Sequence, residues 1–189
     1  VTGFDFSGFT GLKDLNLVSA EGLTATQFNT IPLDVRDGIQ TLWLNNKDVT
    51  DFDFSGFISL ESLSLQKSEH LTAAQFNAIP EDVKTSIKNI HLFDVDVTGF
   101  DFSGFTGVEI LDLQRVRGSI LLPENIGSFT HLRDLNLSGN QSVTGLPTSV
   151  LELSEGCTVN IERCGLSQTV LDHLQESVGV EGDQGPRFN

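Results

Sequence analysis

Apolar residues recur along the chain in the order L-x-x-L-x-L, with Ile or Val at some of the Leu positions. Successive side chains of a β-strand point to opposite sides, so the last two apolar residues of each copy are predicted to face a core. The pattern therefore predicts a series of short, half-buried strands. A degenerate seventh copy uses Val159 and Ile161. The six clear copies are Leu12-Leu15-Leu17, Ile39-Leu42-Leu44, Leu60-Leu63-Leu65, Ile87-Ile90-Leu92, Val108-Leu111-Leu113 and Leu132-Leu135-Leu137.

The strands belong to a longer unit of 48 residues. VTGFDFSGF at 1–9 returns as VTDFDFSGF at 49–57 and as VTGFDFSGF at 97–105, and LTATQFNTIPLDV at 23–35 returns as LTAAQFNAIPEDV at 71–83. The strand patterns begin 27, 21, 27, 21, 24 and 24 residues apart, and repeats of about 20 to 29 residues with this pattern are typical of leucine-rich repeats. We expect an α/β leucine-rich repeat solenoid of about seven repeats, with a parallel sheet on the concave side and short helices, 3-10 turns and loops on the convex side.

The segments between the strands are predicted to supply the rest of the core. In the T-A-x-Q-F-N-x-I-P segments, Thr24 and Thr72 are expected to cap a short helix that Pro32 and Pro80 then end. Each F-D-F-S-G-F phrase carries three Phe residues, which we expect to stack as an aromatic spine in the convex interior. These residues are Phe4, Phe6, Phe9, Phe52, Phe54, Phe57, Phe100, Phe102 and Phe105.

The sequence predicts one domain, over 1–178, with 48-residue double repeats starting at residues 1, 49 and 97. Its C-terminal cap is expected at about 166–178, where Ser167 precedes a helical pattern that places apolar residues on one face. Residues 179–189 are rich in Gly and polar side chains, which predicts a linker or tail.

The charge balance narrows the range of partners. The chain has 11 Lys and Arg residues against 26 Asp and Glu residues, giving a formal net charge of −15. Such a charge opposes binding to nucleic acid and to anionic membrane surfaces. No run approaches the roughly 20 apolar residues that span a bilayer, so membrane insertion is not expected. We expect a monomer that binds a protein partner carrying a basic patch.

The chain shows no pattern typical of catalysis or of metal binding. Cys164 takes the buried position that Asn140 fills one repeat earlier, and Cys157 lies at the start of a strand, so neither a disulfide nor a nucleophile is expected. The four His residues lack zinc-site spacing, and the calcium-like segment 94–101 lacks acidic ligands at two required positions. Motifs for phosphate, dinucleotide, serine hydrolase and zinc protease chemistry are absent from the sequence. We therefore expect no catalytic residue, no metal and no cofactor in this chain.

The concave face is the predicted binding surface. Four of its 21 outward positions are acidic and none is basic, although Lys13, Lys88 and Arg133 lie one step away at the strand edges. We therefore expect a negative potential that suits a basic partner.

Trp43, the only Trp, is predicted to face outward on this surface. With His91, Phe93 and Ile110 it is expected to form the aromatic and apolar centre of a binding hot spot. Alternatively, these side chains lean onto their neighbours or are covered by another part of the protein. The predicted partner-binding residues are Trp43, Asn45, Ser64, Gln66, His91, Phe93, Ile110, Asp112, Asp134 and Asn136.

The stretch LPTSVLELSEGCTVNIERCGLSQTVLDHLQE at 146–176 resembles the end of the leucine-rich repeat domain in secreted bacterial effector proteins. It is most similar to E3 ubiquitin ligases in which such a domain precedes a catalytic domain with a cysteine nucleophile. The resemblance implies that this chain is a substrate-recognition half, that the catalytic cysteine lies beyond Asn189, and that the protein is secreted by a bacterium into or onto a host cell. The matching positions are Leu146-Pro147, Val159, Ile161, Cys164, Leu166 and Ser167.

Two functional hypotheses follow from these observations. The first is a non-enzymatic protein-recognition module that binds its partner on the concave face. The alternative is the substrate-recognition domain of a larger effector E3 ubiquitin ligase. A purely structural or adhesive repeat protein is a third possibility, and a weaker resemblance at 137–150 is to plant-type receptor ectodomains.

Overall fold

The computed structural model describes residues 6–178 and 186–189. Within these residues, eight short strands form one sheet, in which each strand pairs in parallel with the next along the chain. The strands are β1 (Asp14–Asn16), β2 (Thr41–Trp43), β3 (Ser62–Ser64), β4 (Asn89–His91), β5 (Ile110–Asp112), β6 (Asp134–Asn136), β7 (Thr158–Asn160) and β8 (Arg187–Phe188). The helices are α1 (Ala25–Asn29), α2 (Leu33–Arg36), α3 (Ala73–Asn77), α4 (Glu81–Ser86) and α5 (Gln168–Val178), with 3-10 turns at Ile126–Ser128 and Thr148–Glu152.

The central residues of the first seven strands align in one buried column. Leu15 pairs with Leu42, Leu42 pairs with Leu63, and the register continues without a shift to Val159. Every residue of this column is buried, and so is the apolar residue two positions later in each repeat. The predicted inward positions are therefore confirmed. One open, all-parallel sheet with few short helices is a solenoid-like α/β architecture.

The aromatic spine is confirmed for seven of its nine predicted residues, which are buried. Phe28 of α1 stacks on Phe52 with ring centroids 4.3 Å apart, and Phe76 of α3 stacks on Phe100 at the same distance. The prediction is wrong for Phe9, whose side chain is 54% exposed. The remaining residue, Phe4, lies outside the described residues.

The predicted helix caps are present. The Thr24 hydroxyl accepts a hydrogen bond from the Gln27 N–H, and the Gln27 side chain accepts one from the Thr24 N–H, which completes a capping box. Thr72 forms the same box in the second unit. Pro32 follows α1 as predicted but is also the N-cap of α2, because proline lacks an N–H and suits the start of a helix. None of the described helices is long and apolar enough to cross a membrane.

A helix is present where the C-terminal cap is predicted, whereas part of the predicted tail forms a strand. The Ser167 hydroxyl accepts a hydrogen bond from the Val170 N–H at 3.3 Å, and Leu174 of α5 is buried against the core. The prediction of a linker or tail over 179–189 is wrong for its last four residues. They place β8 beside β7, with Phe188 paired to Val159, because an open sheet edge offers unpaired N–H and C=O groups. Residues 179–185 lie outside the described residues.

Candidate functional site

The candidate site lies on the outward side of β1–β7, which we call the sheet face. Its side chains form three rows that run across the strands, since neighbouring strands are in register. All of them are exposed or partly exposed except Ser64 and Ser138. The first row is Asp14, Thr41, Ser62, Asn89, Ile110, Asp134 and Thr158; the second is Asn16, Trp43, Ser64, His91, Asp112, Asn136 and Asn160; the third is Val18, Asn45, Gln66, Phe93, Gln114, Ser138 and Glu162.

The structure distributes the predicted aromatic centre over all three rows. Trp43 and His91 share the second row, but Ser64 stands between them, which separates their backbones by two strand spacings, or about 9.6 Å. Phe93 lies in the third row and Ile110 in the first. The predicted aromatic centre is therefore spread over three rows and over the repeats of β2, β4 and β5.

Ser64 is not available to a partner, because its side chain is only 2% exposed. Its hydroxyl lies 2.6 Å from Asn45 Oδ1, which also accepts a hydrogen bond from the Gln66 N–H. Ser64, which is predicted among the partner-binding residues, is thus buried in the structure. Ser64 braces Asn45 on the sheet face, and the Asn45 amide nitrogen donates no hydrogen bond to the described residues.

Several second-row side chains also shape the turn that ends each strand. Asp112 Oδ1 accepts a hydrogen bond from the Gln114 N–H at 3.1 Å, and Asn136 Oδ1 accepts one from the Ser138 N–H at the same distance. Asn16 and Asn160 accept the corresponding hydrogen bond in their repeats. This bond to the residue two positions later is an Asx turn. Asn136 therefore has a structural role in addition to its exposure.

His91, Asp112 and Asp134 form a group of interacting ionisable side chains on the sheet face. His91 Nδ1 lies 3.6 Å from Asp112 Oδ2, the oxygen that the turn leaves free. The pKa of Asp134 is raised above its ordinary value of 3.8 by burial and then by the negative charge of Asp112, and His91 offsets only part of this. Two neighbouring carboxylates thus lie on the face without a Lys or Arg partner among the described residues.

The basic residues at the strand edges do not compensate these carboxylates. Lys88 Nζ lies 2.8 Å from Glu61 Oε1, and Arg133 Nε lies 3.9 Å from Glu109 Oε2. These four residues occupy the position just before four successive strands, so their charges alternate along the sheet edge. The charges of these four residues therefore cancel in pairs. The carboxylates of Asp112 and Asp134, which we call the acidic centre, have no such partner among the described residues.

Sequence reasoning missed two cations that flank Phe93. Lys67 Nζ and Arg115 Cζ lie 5.8 Å and 5.7 Å from the Phe93 ring centroid, within the range of a cation–π contact. Both residues follow a strand with a left-handed backbone, at φ of 57° and 51°, which turns their side chains back toward the third row. The sequence does contain a sign of this left-handed turn. The equivalent position in other repeats is occupied by Asn46, Asp94 and Gly139, which are residue types that favour left-handed backbone.

The cysteines lack the properties of nucleophiles. Burial raises the pKa of the Cys157 thiol to about 11, with a further contribution from Asp134. Burial also raises the pKa of Cys164, whose Sγ lies 3.1 Å from the Leu137 carbonyl oxygen. Both thiols are free, and among the described residues no three His, Cys, Asp or Glu side chains are grouped to hold a metal ion.

A surface groove of about 520 Å³ lies away from the sheet face. Residues 119–122 and 142–148 line it together with Leu137, and its only charged side chain is Glu124. The other polar side chains of its lining are the hydroxyls of Ser119, Ser142, Thr144 and Thr148. Comparison of the chain with protein-family models, with curated proteins and with solved structures finds no match.

Asp134→Asn is expected to stabilise the fold at neutral pH. Because the pKa of Asp134 is raised on folding, its protonated form favours the native state; that contribution is present below about pH 3.8 and is lost as the pH rises through the folded-state value. Asn resembles the protonated carboxyl, so we expect a rise in Tm of about 1–2 °C at pH 7 and none at pH 3. Thermal unfolding at both pH values tests this, with Asp14→Asn at the far end of the same row as the control. An equal gain at both pH values would contradict the assignment.

Proposed function

We propose that the chain is a leucine-rich repeat protein-recognition module that binds a partner protein on the sheet face. One observation supports this above the others. The edge cations Lys88 and Arg133 are paired with glutamates, whereas Asp112 and Asp134 have no Lys or Arg partner in the part of the chain that the structure describes. A Lys or Arg side chain of a partner would supply the missing charge at this part of the sheet face.

The half-exposed apolar side chains of the same face add to this proposal. Trp43 lies on one side of the acidic centre, and Ile110 lies in the strand that also carries Asp112. Phe93 presents an aromatic ring between two cations. A surface that combines Trp, aromatic and charged side chains with a polar surround has the composition of a protein-binding hot spot. The partner is therefore a protein with a basic patch and apolar side chains beside it.

The double variant Trp43→Ala/Phe93→Ala is expected to keep the fold and lose the partner. Neither side chain belongs to the buried core, and loss of two hot-spot contacts is expected to weaken binding by about 100-fold or more. The measurement is capture of proteins from a host-cell lysate by the wild-type chain and by the variant, followed by mass spectrometry and titration of the captured partner.

The control is Leu33→Ala/Ile58→Ala, which removes two exposed apolar side chains away from the sheet face. The proposal expects a protein that both the wild type and this control retain and the sheet-face variant loses. Retention that is equal in all three chains would contradict recognition through the sheet face.

A second candidate function is substrate selection for a larger effector E3 ubiquitin ligase. The closing segment favours it, since Cys164 fills the buried Asn position and Ser167 caps α5, as in the domain ends that this segment resembles. The raised pKa values of Cys157 and Cys164 mean that the catalytic cysteine would have to come from another domain. A ubiquitin-transfer assay with the whole protein tests this candidate, and transfer that persists without the present domain but loses its substrate preference supports it.

A further inference from the structure

The first F-D-F-S-G-F-T-G phrase carries a surface that the later copies of the phrase bury. We call this the Phe9 surface and define it by Gly8, Phe9 and Gly11. Phe57, one unit later than Phe9, packs against Phe28 with ring centroids 5.7 Å apart, and its side chain is fully buried. Phe105, two units later, packs against Phe76 at 5.2 Å. Phe9 itself is 54% exposed, so the same residue in the same phrase is without its cover only in the first copy.

The cover has the same design in both internal junctions. It begins with a capped T-A-x-Q-F-N helix whose Phe contacts the three rings of the following phrase, stacking on the first and third and meeting the second at a steep angle. It ends with a cation over the outermost ring. Arg36 Cζ lies 5.5 Å from the Phe57 centroid, and Lys84 Nζ lies 5.9 Å from the Phe105 centroid.

The glycines of the phrase also differ between the first copy and the later copies in the space around them. A Cβ added at Gly56 would come 2.8 Å from a Leu33 side-chain carbon, and one added at Gly107 would come 2.8 Å from the backbone oxygen of Thr85. At Gly8 and Gly11 an added Cβ would meet no atom of the described residues within 4 Å. The positive φ of Gly8 is a local reason for glycine at that position. Gly11 does not have a positive φ, so its backbone conformation does not require glycine.

The sequence of the first copy nevertheless retains the features of a covered surface. Residues 1–11 are identical to 97–107, including both glycines and Phe9. The middle copy carries Ser59 at the Gly11 position, which is also small. A surface that only faced water would require neither a large aromatic residue at Phe9 nor a small residue at Gly11.

We propose that the Phe9 surface is a docking surface for a further segment of the T-A-x-Q-F-N-x-I-P type, that is, for another copy of the repeat unit. The two internal junctions define the occupant: a short capped helix that places a Phe ring on Phe9 and a Lys or Arg side chain above it. Stacking of such units buries apolar surface that one unit cannot bury alone. This proposal is independent of the function assigned to the sheet face.

The test adds residues 49–96 directly before Val1, which keeps the phase of the repeat because residues 97 and 1 begin the same phrase. In the 189-residue chain, Phe9→Ala is expected to change the Tm by less than about 1 °C. In the extended chain, the same substitution is expected to lower the Tm by about 5 °C or more, since it then removes a buried ring. Phe57→Ala is the matched control and should lower the Tm of both chains.

Gly11→Leu provides a second variant that leaves Phe9 in place. The 189-residue chain should tolerate it, whereas in the extended chain it should lower the Tm and expose the added unit to hydrogen exchange. The proposal is overturned if Phe9→Ala has no effect in an extended chain whose added helices are folded by circular dichroism, or if the added unit does not fold. It is also overturned if the 189-residue chain sediments as a dimer that Phe9→Glu converts to a monomer, because the occupant is then a second copy of the chain.

Discussion

Phe76→Ala is expected to lower the free energy of unfolding by about 4 kcal/mol, near the upper range for a buried aromatic residue. The Phe76 side chain is fully buried, and its ring lies 4.3 Å from Phe100, 5.3 Å from Phe102 and 5.2 Å from Phe105. These three rings belong to the next repeat, so the substitution removes the packing that joins one unit to the next. The cavity left between rigid backbone segments cannot close without moving a whole repeat.

Urea unfolding followed by circular dichroism measures this effect, with Phe9→Ala as the exposed control. We expect the control to change stability by less than about 0.5 kcal/mol. In a repeat array, coupling between neighbouring units produces the single cooperative transition. The Phe76 variant should therefore also broaden the transition and reduce its dependence on urea concentration. A sharp transition with an unchanged midpoint would contradict the role of Phe76 as the contact between units.

The sequence alone predicts the sheet because its spacing repeats with little ambiguity. An L-x-x-L-x-L pattern allows only one alternation of inward and outward side chains, and the seven observed strands follow it in register. The elements that the pattern missed are those with no period. Four-residue α2 directly follows Pro32, a residue more often taken as a stop, and two-residue β8 is too short to show alternation.

The candidate site was only partly predictable, because its properties depend on contacts between repeats. Alternation places Ser64 on the sheet face, but its burial follows from the hydrogen bond to Asn45 in the neighbouring repeat. Alternation also omits Lys67 and Arg115, since a left-handed turn redirects their side chains onto Phe93. Composition indicates that the sheet face is acidic. Whether the basic residues at its edge neutralise the carboxylates depends on which of them pair with glutamates, and only the distances in the structure show this pairing.

Arg36→Met is expected to lower the free energy of unfolding by about 3 kcal/mol, although its ion pair with Asp53 is the smaller part of the reason. The Arg36 side chain is only 3% exposed, and its guanidinium donates hydrogen bonds to the carbonyl oxygens of Asn29, Ile31, Asp53 and Ser55. Met fills a similar volume but donates to none of these groups. The substitution therefore leaves partly buried carbonyl groups without their donor, which costs more than the loss of an exposed pair.

The matched control is Lys84→Met, at the equivalent position 48 residues later. Lys84 Nζ donates to the Asn77 carbonyl oxygen alone among the described residues, and its side chain is partly exposed. We expect this control to cost about 1 kcal/mol. Near-equal losses for the two variants would show that the four carbonyl contacts of Arg36 contribute little.

The pH dependence of Arg36→Met separates the ion pair from the carbonyl contacts. Burial alone would raise the pKa of Asp53, but hydrogen bonds from Ser55 and Arg36 outweigh it and lower the pKa. The stability that Asp53 adds is therefore present above its unfolded-state pKa of about 3.8 and is lost as the pH falls through the folded-state value. The difference between wild type and Arg36→Met should shrink only slightly between pH 7 and pH 3, because the carbonyl contacts do not titrate. A difference that vanishes at pH 3 would assign the effect to the ion pair instead.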